Sequence, residues 1–350
     1  AWLHSRYWHK MRYLVIFEKV LQLLQKHREY RFFFDSLSEM VLPSLSLRPE
    51  SIVALRKAVK SGQLDFCGGH WSNLRPTQIG DESFIRNITI GKAELNKIIP
   101  GAIPNVYANL DVSIGHSQIP QLMALGGFNS YFAWRPERGL DVQGVPKSFI
   151  WRGLSGDKVV VHRHYYGGWN HPLYFMKEYN EDNYHLNPRV DFEITVLNTW
   201  KKFLRSTAGE DLNTISFCQG GDDALPSGDL YYGFDWDISG LIEKWNRDGR
   251  FGNIRYGTPS EVFAKLKKET LKEVYGILDP CDVGYNIACN GANGIWRLRQ
   301  TGERELKQAE MLAAIAGLYG FASFEDQLLE CWKKHLTFCT HACEMLFDED

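Results

Sequence analysis

At 350 residues the chain exceeds what one hydrophobic core usually organises, so one large domain and a smaller one are expected. A net charge of −2 without a basic stripe argues against a nucleic-acid partner, and no apolar run approaches the ~20 residues of a membrane span. Seven cysteines, an odd number with no Cys-x-x-Cys, fit reduced thiols and a cytoplasmic setting better than a disulfide framework. Residues 1–6 carry no charged segment ahead of an apolar one and do not read as a signal peptide. Trp and Tyr are plentiful; rings stack on sugar C–H faces, and any single one equally suits a core.

In chain order, Leu14, Phe17, Leu21 and Leu24 recur at helical spacing over residues 11–27, followed by a β-rich run over 30–34. Pro49 opens a helix through residue 60, and 64–67 is the next strand. Residues 82–99 read as a helix, 105–110 as a strand, 119–125 as a helix, and 130–134 and 159–165 as strands. A helix over 192–204 and a strand over 214–218 follow, the strand stopping at Gly220-Gly221-Asp222-Asp223. Short strands alternating with longer helices predict a parallel sheet, closed or nearly so. Beyond Gly276 the pattern changes to two long amphipathic helices, 296–318 and 324–346, joined at Gly320.

Several motifs sit where strands end, the edge at which α/β folds gather ligands. They are Gly68-Gly69-His70-Trp71, then Glu82-Ser83 with Arg86 and Gly91-Lys92, then Asp111 shortly before Gly115-His116-Ser117. Trp151-Arg152-Gly153-Leu154 reads as a hairpin before a strand, and Thr258-Pro259-Ser260-Glu261 as a helix start with Thr258 as N-cap and Glu261 at the capping-box position. Glu82 and Arg86, an i,i+4 pair, are suited to packing. Together and in this order the motifs resemble glycoside hydrolase family 38, the zinc-dependent retaining α-mannosidases.

The resemblance implies a seven-stranded parallel β/α barrel-like domain over residues 1–275 and a three-helix bundle over 276–350. It implies hydrolysis of α-mannosidic bonds in a mannose-containing carbohydrate by two carboxylates, which a retaining enzyme holds ~5–5.5 Å apart. Carried across by motif, Asp111 is nucleophile and zinc ligand, and Asp223 is the general acid/base. Trp71, Trp151, Tyr165 and Asp222 are candidates to line the sugar site. From the residues alone, Asp111 could instead cap the next helix and Asp222-Asp223 could form a turn.

The chain departs from the family at the metal. The family's zinc-binding His-x-Asp precedes an Ala-Trp-Leu-like segment, which here is Ala1-Trp2-Leu3, and the family's β-rich C-terminal domains are missing too, so the sequence looks truncated at both ends. Asp111 lies four residues before Gly115 where the family has three, a difference that a one-residue bulge would absorb. Counting places Ala292 at the last zinc histidine, with Cys289 or an Asn as substitutes. A catalytic zinc takes three protein ligands, so this stretch alone is expected to be inactive. Substitute ligands are His70, His116 and the pair His162/His164, which alternate along a strand. That pair would best support a second reading, a metal-dependent polysaccharide deacetylase; a third is a sugar-binding module of the same fold. Cys331, His335, Cys339 and Cys343 form one helical stripe that cannot converge on an ion and reads as packing.

Overall fold

The computed structural model describes residues 6–163, 216, 225–226, 238–249, 253–279 and 293–341. Helix α1 (Arg6–Lys26) lays Phe17, Val20, Leu21 and Leu24 onto a first core, which also takes Phe34 of strand β1 (Phe32–Phe34) and Leu64 and Phe66 of β2 (Leu64–Phe66). Between these strands lie α2 (Leu42–Leu47) and α3 (Ile52–Lys60), a crossover long enough to let β1 and β2 pair in parallel, Phe32 opposite Leu64.

Strand β3 (Val106–Ser113) is buried along its whole length, the signature of a sheet covered on both faces. Its alternation divides two cores. Tyr107 packs with Tyr131, Phe149, Trp151 and Val161 against Phe84 and Ile88 of α4 (Asp81–Ile98) and Leu122 of α5 (Ile119–Leu125). Val106, Ala108 and Leu110 turn the other way, toward Phe263 and Leu266 of a later helix. The layers are therefore helix, sheet, helix.

The remaining strands are β4 (Ser130–Arg135), β5 (Ser148–Arg152), β6 (Lys158–Arg163) and β7 (Lys272–Tyr275), with the short α6 (Glu137–Val142) between β4 and β5. Their order is β3-β4-β6-β5-β7. The expected seven-stranded parallel barrel is not shown among the described residues. The described residues form a mixed α/β fold with a two-stranded and a five-stranded sheet, and β5 runs antiparallel to β6. The cause is the connection: Gly153 N donates to Asp157 O at 2.9 Å and Gly156 takes φ +91°, a tight turn that can only join antiparallel neighbours. The hairpin expected at Trp151-Arg152-Gly153 is therefore present, and it sets one antiparallel pair among the otherwise parallel pairs of the described strands. β1–β2, β3–β4, β4–β6 and β5–β7 are parallel. Gly68 N, just past β2, donates to Val106 O and joins the two sheets.

Helix α7 (Ile238–Asp248) precedes α8 (Pro259–Leu266). The expected capping box opens α8: Thr258 Oγ1 accepts from Glu261 N at 3.3 Å, and Thr258 N donates to Glu261 Oε2 at 3.0 Å. Then α9 (Asn293–Leu318) and α10 (Glu325–Phe338) pack together, and α10 packs on α4. The second helix ends earlier than expected because Thr340 leaves it to bridge Leu74. The seam combines a buried apolar cluster, Ile90 with Trp332 and Leu336, with a set of polar contacts. Arg86 binds both Glu82 and Glu310 at 2.8 Å, Trp332 Nε1 donates to Glu310 at 2.9 Å, and Ser83 Oγ sits 2.5 Å from Glu303 and 3.0 Å from His335 Nε2. Among the described residues no helix is long and apolar enough to cross a membrane.

Candidate functional site

Asp35 follows β1, the loop from Gly68 to Asn73 follows β2, Asp111 lies in β3, and Arg135 ends β4. Leaving β2 requires left-handed backbone, φ +87° at Gly68 and +50° at Gly69, which glycine adopts without a Cβ penalty. The turn brings Asn73 to Asp35, its Nδ2 donating to Oδ2 at 3.1 Å.

Asp111 is the centre of the arrangement. The β3–β4 register is irregular between Asn109 and Ser113: Asn109 faces Ala133, whereas Ser113 faces Arg135. Between these pairs β3 advances four residues while β4 advances two, an irregularity of two residues and not the single-residue bulge expected, and it spans Asp111. The carboxylate is buried. Arg135 Nε donates to Oδ1 at 2.6 Å, its Nη2 lies equally near, and its guanidinium stacks on Trp134 with 4.4 Å to the ring centroid. On the other oxygen, His341 Nε2 stands 3.8 Å from Oδ2. His341 Nδ1 is buried with no hydrogen-bond partner.

The other candidates are placed as follows. His70 is fully buried, bonded through Nε2 to Asn73 Oδ1 at 3.1 Å, with its ring centroid 4.8 Å from that of Tyr107. Its Nδ1 lies so close to Gly68 that a Cβ there would come within 1.9 Å, so the ring is packed into the turn and does not face an open site. Burial pushes its pKa down, against the smaller opposing effects of Asn73 and Asp35, and keeps it neutral. His116 accepts from Gln118 N through Nδ1 at 3.3 Å, with Nε2 3.5 Å from Asp81, which organises the turn into α5. His162 bonds Ser148 Oγ through Nδ1 at 2.7 Å and Ser216 Oγ through Nε2 at 2.6 Å. Both its nitrogens are committed, which removes it as a metal edge.

Trp151 is fully buried and donates Nε1 to Gly276 O at 2.9 Å, so it is a core residue and not a sugar platform. Trp71 donates Nε1 to Lys333 O at 3.1 Å and Thr337 Oγ1 at 2.9 Å, making it the dock for α10. His164, Tyr165, Asp222, Asp223, Cys289 and Ala292 lie outside the described residues. Sequence reasoning does not find Arg135 or His341. Arg135 reads as an ordinary strand end, and His341 falls inside a stretch whose spacing looks helical throughout.

Tetrahedral zinc bound by an oxygen and a nitrogen sets them about 3.4 Å apart. The 3.8 Å between Asp111 Oδ2 and His341 Nε2 therefore suits two ligands of one ion. Among the described residues no three His, Cys, Asp or Glu side chains gather to hold a metal. They supply a pair of donors and not a full set.

The chain shares its fold with solved structures. A protein in glycosyl hydrolase family 38 from Enterococcus faecalis is 20% identical, with a TM-score of 0.69 over 100% of this chain and 36% of that one. An α-mannosidase from Enterococcus faecalis, also 20% identical, has a TM-score of 0.72 over 98% of this chain and 37% of that one. A 4-α-glucanotransferase from Thermococcus litoralis is 14% identical, with a TM-score of 0.51 over 77% of this chain and 39% of that one. The chain thus spans little over a third of the length of these neighbours. No curated relative matches the sequence. The profile of the glycosyl hydrolases family 38 N-terminal domain matches residues 1–283, and the chain belongs to that family.

Proposed function

We propose that the protein containing this chain hydrolyses α-mannosidic or closely similar bonds with retention, on an α/β catalytic unit over residues 1–275 walled by the helices of 276–350. The observation that carries the reading is the buried Asp111, whose Oδ1 is held by Arg135 while Oδ2 faces His341. A carboxylate fixed through one oxygen keeps the other oriented to attack an anomeric carbon. Asp111 would form the glycosyl ester while the leaving oxygen takes a proton from Asp223. Water then attacks the anomeric carbon, giving its proton to Asp223 and breaking the bond from that carbon to the Asp111 oxygen, which frees the carboxylate.

Zinc would be held by Asp111 and His341 with ligands beyond the described residues, and when bound it would polarise sugar hydroxyls and offset developing charge. The substrate is a mannose-containing carbohydrate. The second reading is a sugar-binding module of the same fold without turnover. The deacetylase alternative loses its support with His162. The experiment is hydrolysis of an aryl α-mannoside by the full-length protein, with Asp111→Ala as control and the 350-residue chain beside it. Turnover abolished by Asp111→Ala supports the enzyme; mannoside binding without turnover in the full-length protein supports the module. The 350-residue chain alone is expected to bind sugar with little turnover.

A further inference from the structure

His341 is delivered to Asp111 by a segment tied down from three directions. Thr340 forms an antiparallel bridge with Leu74, and His341 N donates to Asn73 O at 2.9 Å. From α9, the buried Arg299 donates through Nη2 to Thr340 O at 2.8 Å and to Phe338 O at 3.3 Å. From the π-helix Leu37–Val41 after β1, Glu39 Oε1 accepts a short hydrogen bond from Thr340 Oγ1 and a 3.4 Å bond from Asn73 N. The Thr340 hydroxyl also lies 3.3 Å from Asn73 O, but it has one proton, and the carboxylate is the stronger acceptor.

The main-chain ties fix where the segment runs, whereas Glu39 fixes its twist. One carboxylate oxygen gathers Asn73 N and the Thr340 hydroxyl, so the Thr340 side chain cannot rotate and the next residue is held in azimuth. We propose that Thr340, through Glu39, is a positioning residue that sets His341 against Asp111. This rests on the reading of Asp111 as the reacting carboxylate. Thr340 is itself buried and is not a member of the His341–Asp111 pair, so its effect on Asp111 passes through its neighbours.

Thr340→Val keeps the β-branched shape and the bridge and removes only the hydroxyl; Thr340→Ser restores it. In the full-length protein, Thr340→Val is expected to lower kcat about tenfold with KM changed less than about twofold, as a small displacement of an aligned group does. Thr340→Ser should recover most of the loss. The independent readout is the imidazole ¹⁵N spectrum of His341 in the 350-residue chain. Asp111→Asn should shift it in the wild-type background and shift it less in Thr340→Val. A folded Thr340→Val with wild-type kcat, a Thr340→Ser as impaired as Thr340→Val, or an equal Asp111→Asn shift in both backgrounds would overturn the proposal. If the wild-type full-length protein hydrolyses no mannoside, the glycosidase reading fails by itself, and the spectrum decides the positioning claim.

Discussion

Gly91 lies within α4 where the helix crosses the turn that follows β2, and replacing it by alanine tests how that turn is built. A Cβ at Gly91 would sit 2.3 Å from Gly69 O, 2.4 Å from His70 C and 2.5 Å from His70 Cα. These are backbone atoms that no rotamer change can move, and ordinary contact begins near 3.4 Å. The helix must therefore retreat by about 1 Å. That retreat strains three bonds that tie the turn to Asn87: Trp71 N to Asn87 O, Ser72 N to Asn87 Oδ1, and Asn87 Nδ2 to Ser72 O, each at 2.9 Å. At about 1 kcal/mol each, against the roughly 1 kcal/mol that alanine gains over glycine in a helix, Gly91→Ala should destabilise by about 2 kcal/mol. The matched control is Gly317→Ala in α9, where nothing lies within 4 Å, and which should stabilise by about 1 kcal/mol. Thermal unfolding followed by circular dichroism reads both, with the Gly91→Ala midpoint lower by roughly 4 °C. A Gly91→Ala protein as stable as wild type would refute the close approach of α4 to the turn.

Three further outcomes follow from named contacts. Burial pushes the pKa values of His70, His116 and His335 down, against the opposing charges of Asp35, Asp81 and Glu303. The unfolded chain protonates these groups near 6.5 while the folded protein resists, so their contribution is fully present above about pH 6.5 and is lost as pH falls below it. The melting midpoint should drop from pH 7.5 to 5, and a flat or rising midpoint would contradict this. Thr258→Ala removes the acceptor of the α8 capping box and should cost about 1 kcal/mol in denaturant unfolding; no change would mean the cap is redundant. Arg135→Met removes both donors to Asp111 Oδ1 and should lower kcat of the full-length protein about 100-fold with the fold retained, whereas undiminished kcat would remove Arg135 from the account.

Elements with strong periodicity are legible in the amino-acid sequence. The run Phe32–Phe34, the strands around Tyr107 and Tyr131 and the helix over Gly91 fall where alternation and helical spacing put them. Strand direction is less so, because it depends on the length of a connection and not on the composition of a strand: the short link between Arg152 and Lys158 forces the reversal at β5. The four-residue strand Lys272–Tyr275, largely exposed, carries no alternating signal at all. Asp111 can be picked out because it stands at the end of an apolar strand, before Gly115-His116-Ser117. His341 cannot, since only the Glu39, Asn73 and Arg299 contacts pull its segment out of the helix and onto the strand ends. Trp151 misleads for the complementary reason: a ring beside a hairpin looks like a sugar platform until the sheet covers it.

The claim that Asp111 attacks the sugar is tested most directly by trapping the ester. An activated 5-fluoro-α-mannosyl fluoride slows release of the glycosyl-enzyme so that the intermediate accumulates, and peptide mass spectrometry then locates the added sugar. In the full-length protein the account predicts one fluoromannosyl group on the peptide containing Asp111, absent from Asp111→Asn. A label on another carboxylate, or turnover of an aryl α-mannoside to the inverted sugar with no label, would contradict it.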